Sequence, residues 1–283
     1  MKYKIQSIQE VIDHTIDEKA PSISFGYRFF RHIEPGLINI VGRPSTGKTS
    51  LLVNIIQRIA HKSSKILVIS NDNKISYVRR LIALESNLQN DDVISLDDLY
   101  KSEKSELDRR KQFLFNYAKE KVGKYNVSFI DSYDADFSLE DFLEIIHSIK
   151  RESDELLTVF IDANISSSSD FLSKLSTVAK QEKLVVVATY TLPRDLINKE
   201  ITLSNLRDAF GSSFERDANM IVLISRTTFV DGDKKQQSDL IYARVIKNRF
   251  GPTGNYPLIF SSSILSIFEV SQELEDIIKK EEL

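Results

Sequence analysis

The chain contains 283 residues, of which 41% are hydrophobic and 28% are charged, and this length can bury the core of one large α/β domain or of two small ones. Its formal net charge of −3 excludes a general attraction of the surface to nucleic acid, so any such contact must be local. The sequence has no cysteine, which excludes disulfides and thiolate metal sites.

The N-terminus and the apolar runs bear on where the protein works. The first residues lack the apolar core of a signal peptide, and the longest apolar runs are far too short to span a bilayer. We therefore expect a cytoplasmic protein that makes no membrane contact.

The first predicted element is an amphipathic helix over residues 6–19, which ends before Pro21. One stripe of this helix is apolar and consists of Ile8, Val11, Ile12 and Ile16. Four side chains are too few to form a core, so the stripe must pack either on its own domain or on a neighbouring chain. The sequence leaves both alternatives open.

Short apolar strands alternate with helices through the rest of the chain. Strands are predicted over residues 36–41, 65–70, 127–132, 156–163, 183–190, 219–226 and 239–248, with a closing hairpin over 256–270. Helices are predicted over residues 48–61, 75–86, 138–152 and 170–182, with a mostly helical charged stretch at 88–125 and a charged helical tail at 271–283. This alternation is typical of an α/β fold with a mostly parallel central sheet and helices on both faces.

A glycine-rich stretch follows the first strand and opens the first central helix. It fits the pattern G-x-x-x-x-G-K-[ST] with Gly42, Arg43, Pro44, Ser45, Thr46, Gly47, Lys48 and Thr49, followed by Ser50. Such a loop turns backbone N–H groups inward around a phosphate, and the positive end of the following helix faces the anion. We predict that Lys48 reaches the β- and γ-phosphates of ATP and that Thr49 Oγ binds Mg²⁺.

Triphosphate chemistry also needs a carboxylate near the magnesium ion. Asp162 ends an apolar predicted strand, and the carboxyl ends of strands are where ligands of open α/β sheets gather. Asp131 is a competing candidate, but its strand is shorter and less apolar. We therefore rank Asp162 first.

Three motifs, in this order, resemble one known family. The loop GRPSTGKTS, the segment ITLSNLRDAFGSSFERDANMIVLISR (201–226) and the element VIKNRFGPTGNYPLIF (245–260) look like parts of DnaB-type replicative helicases. The last is the most specific, because a Lys, an Arg and two glycines keep their spacing. The resemblance is to the C-terminal, RecA-like motor domain of these helicases and covers about residues 6–270, which implies a RecA-like P-loop NTPase fold.

The resemblance also implies a division of the chain. Residues 1–20 look like the linker helix that docks on the neighbouring subunit in such rings, and residues 21–270 look like the ATPase domain. Residues 271–283 are predicted to form a charged helical tail. We therefore expect a stand-alone motor domain.

The family's activity implies a homo-oligomeric ring, a hexamer by preference, that uses ATP and Mg²⁺ to move on single-stranded DNA during replication. By the same resemblance, Lys247 and Arg249 would reach across a subunit boundary to the γ-phosphate bound next door. A guanidinium placed there neutralises charge that grows on the transferring phosphoryl group. The alternative from the residues alone is a basic strand edge on a solvated surface.

Two positions depart from the family pattern. The family carries a Glu just past the second strand, which orients the attacking water, and Asp72 stands there in this sequence. An Asp carboxylate is one methylene shorter, and a misplacement of about 1 Å can cost roughly 10²-fold in rate. The family also has a Gln after the fourth strand that senses the γ-phosphate, and Thr191 stands at that place.

The two segments that line the ring's pore in this family carry no stacking aromatic side chain here. The first is ISSSSD (165–170), and the second covers about residues 194–208. The second holds the basic residues Arg194, Lys199 and Arg207. Any contact with DNA is therefore expected to follow the phosphates and to depend on salt.

These observations favour a replicative-type helicase motor that hydrolyses ATP. The departures at Asp72 and Thr191 favour an alternative: a slow or non-hydrolysing paralogue that assembles with nucleotide and recruits a partner protein, such as a replication protein. A RecA-like strand-exchange protein is a third reading, which the K-x-R-x-G-P-T-G element makes weaker.

Overall fold

The computed structural model describes residues 21–60, 64–87, 94–100, 109–131, 138–151, 156–162, 169–196, 199–231, 234–271, 273–275 and 277. The helix predicted over 6–19 and most of the serine-rich segment after Asp162 lie outside the described residues.

Within the described residues, nine strands form one sheet. They are β1 (Gly36–Gly42), β2 (Lys65–Ser70), β3 (Val127–Asp131), β4 (Leu157–Asp162), β5 (Leu184–Thr191), β6 (Met220–Asp231), β7 (Lys234–Asn248), β8 (Gly254–Ser261) and β9 (Ser266–Glu269). The helices are α1 (Lys48–Ala60), α2 (Lys74–Asn87), α3 (Leu96–Tyr100), α4 (Arg109–Val122), α5 (Leu139–Lys150), α6 (Ser169–Gln181), α7 (Leu203–Phe210) and α8 (Ser212–Asp217).

The strand order in the sheet is β3-β2-β4-β5-β1-β6-β7-β8-β9. Strands β1 to β6 pair in parallel, and β6 to β9 continue the sheet as antiparallel neighbours. One buried cluster joins α1 and α2 to one face of the sheet, and a second joins α5, α6 and α7 to the other face. The predicted α/β fold with a mostly parallel sheet and helices on both faces is therefore confirmed.

Local sequence signals explain most of the element boundaries. Strands β1, β4 and β5 are almost wholly buried, as expected for apolar strands covered on both faces. Helix α5 begins at a capping box in which Ser138 Oγ accepts from the Asp141 amide and the Asp141 carboxylate accepts from the Ser138 amide. The helix predicted over 138–152 therefore begins at its predicted start, with Ser138 as the N-cap.

The segment between β5 and β6 differs from the prediction. We expected a pore loop over about 194–208, but Leu203–Phe210 is helical and is followed at once by the short α8. Thr202 caps α7, with its hydroxyl accepting from the Asn205 amide. Eight residues are too few for a clear helical period, so the apolar positions 203, 206 and 210 gave too weak a signal.

The tail at 271–283 is described in part. Glu275 is buried, and its carboxylate lies 2.9 Å from Arg28 Nη2. The beginning of the tail is therefore held on the body of the domain by an ion pair.

Candidate nucleotide-binding site

The loop between β1 and α1 has the backbone of a phosphate cradle. At Gly42 a Cβ atom would lie 2.6 Å from Thr46 Oγ1 and 2.7 Å from the Ile224 carbonyl oxygen, so only glycine fits. Gly47 has φ 96° and Ser45 has φ 61°, both in the left-handed region. Turns of this kind direct successive amides to one side of the chain and form a concave anion site at the start of a helix.

The side chains of the loop divide into two groups. Thr46 is buried and its hydroxyl donates to the Arg43 carbonyl at 2.9 Å, which closes the turn. The residues Arg43, Pro44 and Ser45 are exposed at its rim. Ser50 lies in the first turn of α1, where its carbonyl accepts from Asn54 Nδ2 at 2.8 Å.

The Lys48 ammonium folds back over the loop. Its Nζ donates to the carbonyl oxygens of Gly42 at 3.0 Å and Arg43 at 2.8 Å. Burial lowers the pKa of Lys48, because the charged form loses hydration, and the nearby Asp162 carboxylate partly opposes this effect. A half-buried cation at the mouth of an amide-lined loop is suited to receive a polyphosphate.

Asp162 lies directly beside the helix that follows the loop. Its Oδ2 accepts a hydrogen bond from Thr49 Oγ1 at 2.8 Å, and its Oδ1 accepts from Thr189 Oγ1 at 2.6 Å. The structure thus brings together the hydroxyl and the carboxylate that the sequence assigned to Mg²⁺. Hydroxyl and carboxylate oxygens are hard ligands of the type that this ion takes, with the substrate's phosphates and water completing its shell.

The competing carboxylate, Asp131, ends the outermost strand β3. The strand order puts β3 four strands from β1, or about 19 Å at the usual strand spacing, whereas β4 is two strands away, or about 10 Å. The sheet topology therefore favours Asp162 over Asp131 as the carboxylate nearest to the loop.

Asp72 lies in the turn between β2 and α2, at the same edge of the sheet as the loop. Its amide donates to Ser70 Oγ at 2.9 Å, and the neighbouring Asn71 amide donates to the Asp162 carbonyl at 3.3 Å. The Asp72 carboxylate is 54% exposed and lies 3.9 Å from Arg80 Nη2. It therefore faces solvent beside Asp162, where a water molecule can reach it.

Thr191 ends β5 and pairs with Gly42 in the parallel ladder. Its side chain is exposed, and the next amide, that of Leu192, donates to the Gly42 carbonyl at 3.1 Å. Thr191 therefore lies beside the phosphate loop, as the resemblance implied. Tyr190 points the other way into the core, where its ring packs edge-on against Phe214 at 4.9 Å.

Lys247 and Arg249 lie at the end of the strands that is opposite to the phosphate loop. Asn248 pairs with Met220, which pairs with Ile38, four positions before Gly42. At the usual rise per residue this is about 13 Å along the strands, before the spacing between strands is added.

Both cations contact the end of α8. Lys247 Nζ donates to the Glu215 carbonyl, and Arg249 Nη2 donates to the Arg216 carbonyl at 2.7 Å. The last carbonyls of a helix carry partial negative charge, so they attract cations. Burial, followed by the charge of Arg249, lowers the pKa of Lys247. The two groups are thus held together at the base of the turn that joins β7 to β8.

The three basic residues assigned to DNA are exposed. Arg194 lies in a short 3-10 turn after β5, Lys199 follows it, and Arg207 lies on α7 with its Nη2 3.2 Å from Ser204 Oγ. The sequence reasoning placed Arg207 in a loop, and the structure corrects this to a helix face.

Sequence reasoning missed three hydroxyl residues around Asp162, namely Ser70, Tyr77 and Thr189. Ser70 and Thr189 come from β2 and β5, the two strands that flank β4. Their positions near strand ends were visible in the sequence, but the strand order that makes them neighbours was not. Tyr77 lies on the buried face of α2, in phase with Leu81 and Leu84, at a position typical of a core residue.

Fold and site together define a RecA-like P-loop NTPase domain. Residues 32–269 match the family model described as the DnaB-like helicase C terminal domain. The chain therefore belongs to this family, and the resemblance seen in the motifs is confirmed.

Individual proteins agree with this assignment. The chain is 27% identical over 270 residues to the replicative DNA helicase DnaB of Mycoplasma pneumoniae, covering 84% of this chain and 54% of that protein. It superposes on one solved ATPase domain with a TM-score of 0.78 and 18% identity, covering 95% of this chain and 100% of that one. A DnaB-like replicative helicase, described with its interactions with primase, gives 0.75 and 18%, covering 95% and 68%. The chain spans about half the length of the curated relatives that it matches.

Among the described residues, no helix is both long enough and apolar enough to cross a membrane. The same residues contain no group of three or more His, Asp or Glu that could hold a metal ion.

Proposed function

We propose that this chain is the motor domain of a ring-forming DNA helicase of the replicative type, driven by hydrolysis of Mg²⁺-ATP. The observation that carries this proposal is the contact between Thr49 and Asp162 beneath the phosphate loop. Relatives named as replicative DNA helicases and membership of the DnaB-like family support it.

ATP with Mg²⁺ fits the groups at this edge of the sheet. The amides of residues 42–50 bind the phosphates, and Lys48 neutralises the β- and γ-phosphate charge. Thr49 and Asp162 would hold the metal, which would supply positive charge against the phosphates. Asp72 accepts a proton from the attacking water at its carboxylate, and Thr191 donates a hydrogen bond toward the γ-phosphate.

The distance between the phosphate loop and the two cations of β7 supports an oligomer. Lys247 and Arg249 lie too far from the loop of their own chain to touch its γ-phosphate, which supports their supply by a second copy. A head-to-tail interface of this kind closes into a ring when its rotation permits, and we propose a hexamer. The segment 6–19 is proposed to dock on the neighbouring chain and strengthen this interface.

Single-stranded DNA is the proposed track, and a replication protein is a proposed partner. The exposed groups Arg194, Lys199 and Arg207 would contact phosphates without reading bases.

We expect ATP turnover at low salt to rise several-fold when single-stranded DNA is added. If each chain makes three phosphate contacts, each chain that engages DNA should contribute a factor of about 20 to the loss of affinity between 50 and 200 mM salt. Turnover that is indifferent to DNA at low salt would contradict the motor function.

One observation favours a second candidate, a nucleotide-switched assembly protein with slow turnover. The Asp72 carboxylate is one methylene shorter than the Glu of the family, is exposed and lies 3.9 Å from Arg80 Nη2, so it reaches less far than a Glu at this position would. Size measurement with a slowly hydrolysed ATP analogue, beside a turnover assay, separates the two functions. Assembly without turnover supports the switch.

Asp72→Glu tests the position of this base. The extra methylene moves the carboxylate toward the site, so we expect kcat to rise about 10-fold with little change in KM. Asp72→Asn is the matched control, because it keeps the shape and removes proton acceptance. If Asp72→Asn leaves kcat unchanged, Asp72 is not the base.

A further inference from the structure

A third hydroxyl converges on Asp162 and has no part in the scheme above. Tyr77 Oη lies 2.5 Å from Asp162 Oδ2, the same oxygen that accepts from Thr49. The Tyr77 side chain is fully buried between α2 and the sheet, with its ring 6.1 Å from that of Phe129. Burial and the Asp162 carboxylate both raise the pKa of Tyr77, so the phenol stays neutral and remains a donor.

Tyr77 also belongs to the segment that carries Asp72. This segment leaves β2 at Ser70, passes Asp72 and enters α2 at Lys74, so Tyr77 lies in the first turn of the helix. At its other end, Ser70 Oγ accepts from the Asp72 amide at 2.9 Å and donates to the Asp162 carbonyl at 3.3 Å. The segment is thus anchored on one residue at both ends, through the backbone of Asp162 at one end and through its carboxylate at the other.

Two consequences follow from this arrangement. The Tyr77 hydrogen bond restricts rotation of the Asp162 carboxylate, whose two oxygens together accept from three hydroxyls. It also fixes the first turn of α2 relative to β4, which limits how far Asp72 can move from Asp162. Groups that orient a metal-binding carboxylate in this way commonly change metal affinity or activity by 10- to 100-fold when they are removed.

We propose that Tyr77 is a positioning residue, which ties the turn that carries Asp72 to the carboxylate of Asp162 and so keeps the two acidic groups in a fixed mutual geometry. The inference rests on the roles proposed above for Asp162 and Asp72. Tyr77 itself contacts neither phosphate nor water in this account, and it acts only through Asp162.

Tyr77→Phe tests the inference, because it removes the hydroxyl and keeps the ring in the core. Tyr125→Phe is the matched control. Tyr125 Oη donates at 2.7 Å to a different buried carboxylate on the same side of the sheet, that of Glu85. Both variants lose one hydroxyl-to-carboxylate hydrogen bond, so their midpoints of thermal unfolding should fall by similar amounts.

The measurements separate metal handling from nucleotide binding. For Tyr77→Phe we expect unchanged affinity for a fluorescent ADP analogue in EDTA and an affinity gain on adding Mg²⁺ that is reduced about 10-fold. The Mg²⁺ concentration for half-maximal turnover should rise by a similar factor. Because Asp72 is also released, kcat at saturating Mg²⁺-ATP should fall about 10-fold.

Each outcome decides between the alternatives. If Tyr77→Phe matches Tyr125→Phe in Mg²⁺ dependence and in kcat, Tyr77 is only a core residue and the inference is overturned. If the wild-type chain gains no nucleotide affinity from Mg²⁺, the proposed function fails first, and the inference fails with it.

Should Tyr77→Phe not fold, Ser70→Ala releases the other anchor of the segment. We then expect kcat to fall at least 5-fold at unchanged KM, and an unchanged kcat overturns the inference.

Discussion

Lys48→Ala should reduce ATP turnover at least 100-fold. The ammonium lies at the mouth of the phosphate loop, where it is bonded to the Gly42 and Arg43 carbonyls. On binding, a polyphosphate would replace those carbonyls as its partner. Without the cation, negative charge that develops on the transferring phosphoryl group is left unbalanced. A 100-fold loss corresponds to about 2.7 kcal/mol of transition-state stabilisation.

The loss of turnover should come without a loss of folding. Burial lowers the pKa of Lys48 relative to the unfolded chain, so the charged form costs stability wherever the pH lies below that pKa. Removing the charge removes that cost, and the thermal midpoint should therefore stay within a few degrees of the wild type.

Lys124→Ala serves as the control for this variant. Lys124 is an exposed lysine that pairs with the exposed Glu120 four residues before it. Its removal should leave turnover unchanged. If Lys48→Ala turns over ATP as fast as Lys124→Ala does, the loop at 42–50 is not where the triphosphate binds.

The sequence predicted the central strands well, because parallel strands that helices cover on both faces have continuous apolar sequences. Strands β4 and β5 are examples, since almost every residue is buried and the run of apolar letters marks both ends. The phosphate loop was equally easy to predict from the sequence, because its function needs particular residues at fixed spacing within one short stretch.

The residues that surround Asp162 could not all be predicted from the sequence in the same way. The sequence predicted that Thr49 and Asp162 meet, but it did not reveal Thr189 and Tyr77, which come from two other elements and lie 27 and 85 positions from Asp162 in the chain. They meet because β4 lies between β2 and β5, and strand order is not encoded in any local pattern. Tyr77 was hidden further, because a tyrosine on the buried face of a helix looks like a core residue.

The turn between β7 and β8 shows how motif and geometry combine. The motif identified Lys247 and Arg249 but did not predict at which end of the strands they lie. The antiparallel register of β6 and β7 puts them at the end of the strands that lies away from the phosphate loop. Asn248, which lies between them, folds the turn by donating to the Pro252 carbonyl at 3.1 Å and accepting from the Phe250 amide at 2.9 Å.

Arg249→Ala should reduce ATP turnover about 10³-fold if this group completes the site of a neighbouring chain. A guanidinium supplied in trans to the γ-phosphate is worth at least this factor in related phosphoryl transfers. Arg249 is exposed and far from its own loop, so its removal should leave nucleotide affinity of a single chain unchanged. Binding of a fluorescent ADP analogue, beside the turnover assay, checks both halves of this prediction.

Arg244→Ala is the matched control for Arg249→Ala. Arg244 lies on the same strand and is half-buried, with its Nη2 3.9 Å from the exposed Glu200 carboxylate. It carries a guanidinium five positions before Arg249 and does not belong to the K-x-R pair. Equal losses in the two variants would mean that general surface charge, and not a placed cation, supports turnover.

The central claim is that the phosphate loop of one chain and the cations of another form a single site. Mixing Lys48→Ala and Arg249→Ala chains in equal amounts tests this claim most directly, because each variant carries the half that the other lacks. In a head-to-tail ring of randomly mixed chains about one quarter of the sites are intact, so turnover should recover to about one quarter of the wild-type value. If turnover of the mixture equals the average of the two inactive variants, the site is not shared between chains and the account is wrong.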